Sequence, residues 1–329
     1  MKLSAAGAAA LSLVACGSQE EAGPLVEYSW SGSLLGVDTS LRLFHAHDAV
    51  SIAAVKEITA EVKRLAGIFT LYVHGSDLSR LNQTGSLVGA TSEMLEVVEF
   101  CRQLWIASEG LFDPTVQPLW ELYADYYSEP RAADDPGPSA AAIARAREKV
   151  GLDKVIEDKG TIKFAADGMA LSFNAVAQGY LTDKAYEILK KRGFRHALIN
   201  MGEYRAIGGK PLPDGDIGPW HIGIADATAP WRVFETLQIM EQAVSTSAPS
   251  GAAFNTGGTS HHLFNPRTGL SENRYHSVTV VAPTATIADG LSTVLALVDV
   301  EQARKILSHF EGAGAFLRPL EGDPVRIGI

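Results

Sequence analysis

The spacing of hydrophobic residues along the chain predicts a mixture of amphipathic helices and short strands. Between Asp48 and Phe69 the hydrophobic side chains recur every three or four residues, which is typical of a helix with one buried face. Five further segments are predicted to be helical: Thr91–Ser108, Ala140–Val150, Asn174–Arg192, Ile287–Leu297 and Glu301–His309. The first half of the chain is therefore expected to contribute most of the long helices.

Strands are predicted where hydrophobic and polar residues alternate, or where short hydrophobic runs are bounded by turn residues. The segment Leu25–His45 reads as extended, with clear alternation at Ser40–Phe44. Further strands are predicted at Gly160–Phe164, His196–Asn200, Trp220–Ile224, Phe234–Ile239, Ala243–Thr246, Ser277–Val281 and Gly314–Leu317. Helices and strands do not alternate in a regular β-α-β order and no linker divides the chain, so we expect one large α+β domain.

The composition fits a protein with a large core and excludes one functional class. Hydrophobic residues make up 46% of the 329 residues, which is enough to build a substantial interior. The formal net charge is −10, and no run rich in Lys or Arg is present. We therefore expect no nucleic-acid partner.

The N-terminal segment 1–23 is interpreted as an export signal and tether, and 24–329 as the functional domain. Lys2 precedes a hydrophobic run that is too short to span a bilayer, and the run ends in Leu13-Val14-Ala15-Cys16-Gly17. A small residue followed by cysteine at this place resembles a bacterial lipoprotein signal, in which Cys16 would be lipidated. The alternative is an ordinary secretory signal. The second cysteine, Cys101, lies in a helical pattern and is expected to be buried.

A carboxylate and a hydroxyl lie four residues apart in Ala288-Asp289-Gly290-Leu291-Ser292-Thr293. On a helix, Asp289 and Thr293 would lie one turn apart on the same face. Such oxygens suit Mg²⁺, which often shares its ligands with phosphates. The alternative is that Asp289 caps the helix.

The pair His261-His262 is a second candidate for chemistry. Because adjacent side chains on a strand point in opposite directions, one histidine acting as a base is favoured over a site in which both bind one metal ion. No GxSxG motif is present for a serine hydrolase, and neither HExxH nor CxxC is present for zinc.

Two turns could contact a ligand. Glu109–Val116 interrupts a helix, and Phe112 in this turn could stack on a planar ring of a ligand. The alternative is that Phe112 belongs to the core and Asp113 caps the next helix. Backbone amides at the start of the helix after Ala170–Phe173 could face an anion, or else Asn174 caps that helix. The glycine-rich segment Asn200–Gly209 lacks GxGxxG spacing and GxxxxGK[ST] is absent, which disfavours the common nicotinamide and P-loop folds.

Taken in order, these segments resemble the ApbE-type FAD:protein FMN transferases. The similarity extends from Leu35 to Leu297 and depends on the following runs: Leu71-Tyr72, Ser76–Asn82, Gly110–Val116, Asn174–Tyr180 with Thr182-Asp183, Ile199–Glu203, His262–Gly269 and Ala288–Thr293.

The resemblance implies a single large domain, related to the T-fold, with mixed and antiparallel sheets and flanking helices. It also implies Mg²⁺-dependent transfer of FMN from FAD to a Ser or Thr hydroxyl of an acceptor flavoprotein, with release of AMP. His262 would be the catalytic base, and Asp289, Thr293 and the carbonyl of Ala175 would bind the metal. The cofactor-binding residues implied by the resemblance are Leu35, Tyr72, Leu111, Phe112, Asp113, Ser172, Gln178 and Leu263.

Several positions depart from the family pattern. Ser172 replaces a common Asp, Met201-Gly202-Glu203 replaces Gly-Gly-Asp, and Ala248 stands where a Gly usually follows Ser247. Two alternatives therefore stay open: an FAD pyrophosphatase that releases FMN and AMP, and a flavin-binding accessory protein of a membrane respiratory complex such as that of nitrous oxide reduction. The expected location is the periplasm, with a lipid anchor in the bacterial membrane, the inner membrane being favoured, close to an acceptor that belongs to a membrane redox complex.

Overall fold

A computed structural model describes residues 23–34, 36–132, 135–227 and 229–329, and these form an α+β domain. The helices are α1 (Asp48–Phe69), α2 (Asp77–Thr84), α3 (Ser92–Ala107), α4 (Gln117–Tyr126), α5 (Ala140–Arg147), α6 (Ala177–Lys191), α7 (Ala285–Leu295) and α8 (Val300–Leu307). The strands are β1 (Val26–Leu34), β2 (Val37–His45), β3 (Ser86–Val88), β4 (Val155–Asp158), β5 (Thr161–Phe164), β6 (His196–Asn200), β7 (Tyr204–Ile207), β8 (Lys210–Pro211), β9 (Ile217–Gly218), β10 (Trp220–Asp226), β11 (Ala229–Ile239), β12 (Ala243–Ser247), β13 (Tyr275–Ala282), β14 (Gly314–Pro319) and β15 (Val325–Ile327).

The main sheet is antiparallel and has the strand order β1-β2-β6-β7-β12-β13-β14-β15. Its strands carry hydrophobic residues toward both faces because both faces are covered. On β2, Leu41 and Leu43 pack beneath α1 and α6, whereas Phe44 packs against Trp220 of the β10–β11 hairpin. The sheet is thus the middle layer between helices and a second, two-stranded sheet.

Helix α1 forms as the hydrophobic spacing predicts. Its bounds, Asp48 and Phe69, agree with the predicted ones, and its buried residues include Val55, Ile58 and Val62. The Thr91 hydroxyl accepts a hydrogen bond from the amide of Met94 and caps α3. The buried face of α3 includes Cys101, as expected.

Helix α7 lies in the largest hydrophobic cluster and is buried along most of its length. Thr284 caps it by accepting a hydrogen bond from the amide of Ile287, so the alternative in which Asp289 is the cap is wrong. Asp183 on α6 accepts hydrogen bonds from the amides of Ala285 and Thr286 at 2.8 and 2.9 Å. These contacts fix the start of α7 against α6.

Some element bounds differ from the predictions. Helix α6 begins at Ala177 rather than Asn174, with Val176 at its N-cap position and no side-chain cap, so capping by Asn174 is also wrong. The predicted loop Asn200–Gly209 contains β7, which forms a tight hairpin with β6. Sequence reasoning missed α2 and the strands β3, β4, β8, β9 and β15, which are short or lack regular hydrophobic spacing, and it gave no bounds for α4. No helix in the described part of the chain is both long enough and apolar enough to cross a membrane.

Candidate active site

A cavity of about 530 Å³ opens where the start of α6, the middle of α7 and the loops after α1, α3, β6 and β12 meet. The volume lies within the range of small-molecule sites. The cavity brings together every described site residue that the family resemblance implies: Tyr72, Leu111, Phe112, Asp113, Ser172, Ala175, Gln178, His262, Leu263, Asp289 and Thr293. The two other candidates, Leu35 and Cys16, lie outside the described residues.

Asp289 is buried in α7, and its carboxylate faces the cavity. Its Oδ2 accepts a hydrogen bond of 2.9 Å from the backbone amide of Gly179 on α6. Burial raises the pKa of this carboxyl well above its ordinary value, and the negative charge of Glu203 adds to the effect. The site therefore holds an acidic group that favours a nearby cation.

Gly179 makes this contact possible because it has no side chain. A Cβ atom at this position would lie 2.4 Å from the carbonyl oxygen of Ala285 and 2.8 Å from Cβ of Asp289. Only glycine lets α6 and α7 approach so closely without displacement of one helix.

The same contact supplies an acceptor at the start of α6. Gly179 is the third residue of this helix, and the amides of a helix's first turn have no acceptor within the helix itself. Ala175 precedes the helix, its carbonyl receives no hydrogen bond from a described group, and the residue lines the cavity. A carbonyl oxygen is thus available in the same cavity as the Asp289 carboxylate.

Hydroxyl groups complete this part of the wall. Thr293 lies one helical turn after Asp289, as predicted, and its Oγ1 is 3.4 Å from Oγ of Ser247. Oγ of Ser292 lies within hydrogen-bond distance of Oγ of Ser247, at 2.7 Å, and donates a hydrogen bond to the carbonyl of Asp289 at 2.9 Å. The hydroxyls of β12 and α7 therefore form one connected network.

Glu203 is a site residue that sequence reasoning did not select. It lies just after β6, is buried and lines the cavity near Asp289. Burial raises its pKa to about 7, although a hydrogen bond from Ser245 acts in the opposite direction. Among the described residues that line the cavity none is Lys or Arg, so this wall is acidic and lacks a protein cation.

His262 lies on the loop that follows β12. Both its backbone amide and its Nδ1 contact the carbonyl of Ala252, at 3.1 and 3.2 Å. Because a carbonyl only accepts hydrogen bonds, Nδ1 carries the proton of the neutral ring and Nε2 is left with its lone pair. Burial lowers the pKa of His262, which keeps the ring neutral and able to accept a proton. His261 does not line the cavity, so only one histidine of the pair is exposed to it.

The turn after α3 places Leu111 and Phe112 in the wall of the cavity, and both are also part of the core. The Asp113 carboxylate is bound by the protein itself: it accepts hydrogen bonds from the amides of Thr115 and Leu152 at 2.9 and 3.0 Å. Asp113 does not cap α4, whose N-cap residue is Val116. It holds the turn in place next to the cavity.

The remaining candidates differ in exposure. Tyr72 is 76% exposed where it lines the cavity, so most of its surface is accessible to a ligand. Leu263 is buried in the wall. Ser172 accepts a hydrogen bond of 3.4 Å from the amide of Asn174, and Gln178 is the second residue of α6.

Comparisons with known proteins agree with the similarity seen in the sequence. The model of the ApbE family matches residues 35–317. The FAD:protein FMN transferase of Haemophilus influenzae is 27% identical over 91% of this chain and 87% of its own length. A Klebsiella pneumoniae protein of the same name is 26% identical, with 88% of each chain covered.

Solved structures support the same assignment of the fold. The apo flavinyl transferase ApbE of Pseudomonas stutzeri superposes with a TM-score of 0.75 at 26% identity, covering 92% of this chain and 95% of that one. The ApbE protein of Thermotoga maritima gives a TM-score of 0.79 at 25% identity, covering 92% and 97%. The predicted α+β fold is confirmed.

Proposed function

Because the chain belongs to the ApbE family, we propose that it is an FAD:protein FMN transferase. In this reaction a Ser or Thr hydroxyl of an acceptor flavoprotein attacks the phosphorus of the FMN half of FAD. The new bond joins the acceptor oxygen to that phosphorus. The diphosphate bond breaks, its bridging oxygen leaves with AMP, and the hydroxyl proton passes to a base.

The observation that carries the proposal is the pairing of an acidic wall and a neutral histidine in one cavity. Asp289 and Glu203 are buried there without a Lys or Arg among the described lining residues, and His262 lines the same space. In their charged form these carboxylates would repel a diphosphate, which is itself negatively charged. A bound cation would stabilise the charged carboxylates and offset this repulsion.

The donor set fits Mg²⁺. The carboxylate of Asp289, the hydroxyl of Thr293 and the carbonyl of Ala175 are oxygen ligands of the kind that this ion prefers, and we propose that they hold it. When bound, Mg²⁺ would neutralise the charge of the diphosphate and make it a better electrophile. The amide of Gly179 orients the Asp289 carboxylate for this role.

His262 supplies the base. Its Nδ1 is engaged by Ala252, so Nε2 is the atom that accepts the proton of the acceptor hydroxyl. The low pKa caused by burial keeps Nε2 unprotonated near neutral pH. The transferred proton would then leave to solvent or to the departing phosphate.

The hydrophobic part of the cavity suits the flavin ring. Leu111, Phe112 and Leu263 provide an apolar wall, and the exposed Tyr72 ring could cover the flavin from the mouth. We propose that Gln178 and Ser172 contribute polar contacts to FAD. Leu35 is proposed for the same site from its sequence position alone.

We also propose that the protein is periplasmic and is anchored through a lipid on Cys16, most simply in the inner membrane. The proposal is supported by the apolar N-terminal run that ends in a small residue and cysteine. An acceptor in a membrane redox complex would then lie within reach of the tether.

The test is mass spectrometry of a flavin-acceptor domain incubated with the purified protein, FAD and Mg²⁺. A mass increase equal to one FMN, lost when Mg²⁺ is chelated, is the expected result. If the acceptor mass does not change while a known transferase modifies it, the proposed function is wrong. Release of free FMN without acceptor would identify an FAD pyrophosphatase instead.

A further inference from the structure

The turn that carries Leu111 and Phe112 contains two successive residues in the left-handed region. Glu109 has φ of 54° and Gly110 has φ of 82°. Glycine adopts this conformation freely, but a glutamate at φ of 54° is sterically disfavoured. The amide of Gly110 donates to the carbonyl of Trp105 at 2.7 Å, and the amide of Phe112 donates to Oγ of Ser108 at 2.8 Å.

An arginine from a distant part of the chain holds this strained turn. Nη2 of Arg267 donates a hydrogen bond of 2.6 Å to the carbonyl oxygen of Glu109. The donor is charged, so the bond is stronger than one between neutral groups. Lys305 also approaches Glu109, but it pairs with the side-chain carboxylate at 2.6 Å, and both of those side chains are exposed. The main-chain contact is therefore specific to Arg267.

Arg267 lies in the same compact hairpin as the proposed base. The amide of Gly269 donates to the carbonyl of Asn265 at 2.7 Å, and the amide of Glu272 donates to the carbonyl of Leu263 at 3.0 Å. The amide of Arg267 itself donates to Oδ1 of Asn265 at 2.9 Å. The hairpin thus connects Arg267 rigidly to His262 and Leu263, which line the cavity.

We propose that Arg267 is a positioning residue for the flavin site. It ties the turn bearing Leu111 and Phe112 to the hairpin bearing His262, and so fixes the separation of two cavity walls. Arg267 is exposed and does not line the cavity, so it acts on FAD only through these segments. This inference depends on the proposed function for the identity of the ligand.

The test is FAD binding, followed by quenching of tryptophan fluorescence, because Trp120 lines the cavity. Arg267→Ala should weaken FAD binding about tenfold, the effect of one lost charge-assisted hydrogen bond. Added guanidinium chloride, well below denaturing concentrations, should restore most of the affinity, whereas tetramethylammonium chloride at equal concentration should not. Arg267→Lys keeps the charge but lacks the planar guanidinium group, so its FAD affinity should lie between those of Arg267→Ala and the wild type.

Lys305→Ala is the matched control, since it removes the other cation near Glu109 without touching the main-chain contact. It should leave FAD affinity within about twofold of the wild type. Wild-type affinity in Arg267→Ala would overturn the proposal, and so would a loss that guanidinium does not reverse. If the wild-type protein binds FAD but transfers no FMN, the proposed function fails while the positioning role is still tested by affinity.

Discussion

The backbone amide of Gly179 donates to the carboxylate of Asp289 over 2.9 Å and joins the first turn of α6 to the middle of α7. This contact orients the Asp289 carboxylate, and it also satisfies an amide of the first turn of α6 that has no acceptor within the helix. The orientation of one proposed metal ligand thus depends directly on this hydrogen bond. The close approach of the two helices that the bond requires makes the site sensitive to small changes of packing.

Gly179→Ala should therefore damage both stability and activity. The new methyl group would lie 2.4 Å from the carbonyl of Ala285, and separating α6 from α7 should lower the free energy of unfolding by about 1–3 kcal/mol. Denaturant unfolding measures this change. Gly67→Ala in α1 is the matched control, since a Cβ there meets no atom within 4 Å, and it should be neutral or stabilising. Equal stability of the two variants would contradict the packing argument.

His262→Ala should slow transfer without weakening FAD binding. Loss of a general base typically lowers a rate about 10²- to 10⁴-fold, and the proposed role of Nε2 is to take the proton of the acceptor hydroxyl rather than to bind the cofactor. Single-turnover transfer at saturating FAD, together with an FAD titration, separates the two effects. The exposed His309 provides a control variant, His309→Ala, that should behave as the wild type. A loss of FAD affinity with an unchanged saturated rate would assign His262 a binding role.

Glu203 should make the folding stability of the metal-free protein depend on pH in a recognisable way. Its pKa is raised to about 7 in the folded state, above the ordinary value of 4.5, so between these values the folded state binds a proton that the unfolded state does not. The stabilising contribution is full below pH 4.5 and is lost as the pH rises through about 7. Compared with Glu203→Gln, the wild type should thus become relatively less stable between pH 5.5 and 8.

Thermal unfolding of both proteins with a chelator measures this difference, because contributions from titrating groups distant from Glu203 cancel in the comparison. At pH 8, Mg²⁺ should restore much of the stability that the wild type lacks relative to Glu203→Gln, since a cation near the carboxylates favours their charged form. A difference in Tm between the two proteins that does not change with pH would show that Glu203 titrates normally.

The spacing of residues close together in sequence predicted much of the fold, and it also predicted the relative positions of Asp289 and Thr293 in the site. The hydrophobic spacing of Asp48–Phe69 gave the bounds of α1, and the four-residue separation of Asp289 and Thr293 placed them one turn apart. These features depend on neighbours in sequence. The family resemblance added the other proposed site residues, including the carbonyl of Ala175, which carries no signal in its side chain.

Contacts between distant segments could not be predicted from the sequence. The bond from Gly179 to Asp289 spans 110 positions and the bond from Arg267 to Glu109 spans 158. Glu203 was missed as a site residue, although it stands where the family usually has an Asp, because a single glutamate after a glycine gives no sign of its burial. Its burial and its proximity to Asp289 exist only once β6 and β7 pair and α7 packs against β12.

The most direct test of the proposed metal-assisted site is a titration of the protein with FAD in the presence and absence of Mg²⁺. In the wild type, Mg²⁺ should strengthen FAD binding at least about tenfold, because the ion offsets the repulsion between the diphosphate and the acidic wall. In Asp289→Asn this dependence on Mg²⁺ should disappear, and FMN transfer should disappear with it. Equal FAD affinity with and without Mg²⁺ in the wild type, or a full Mg²⁺ effect in Asp289→Asn, would contradict the account.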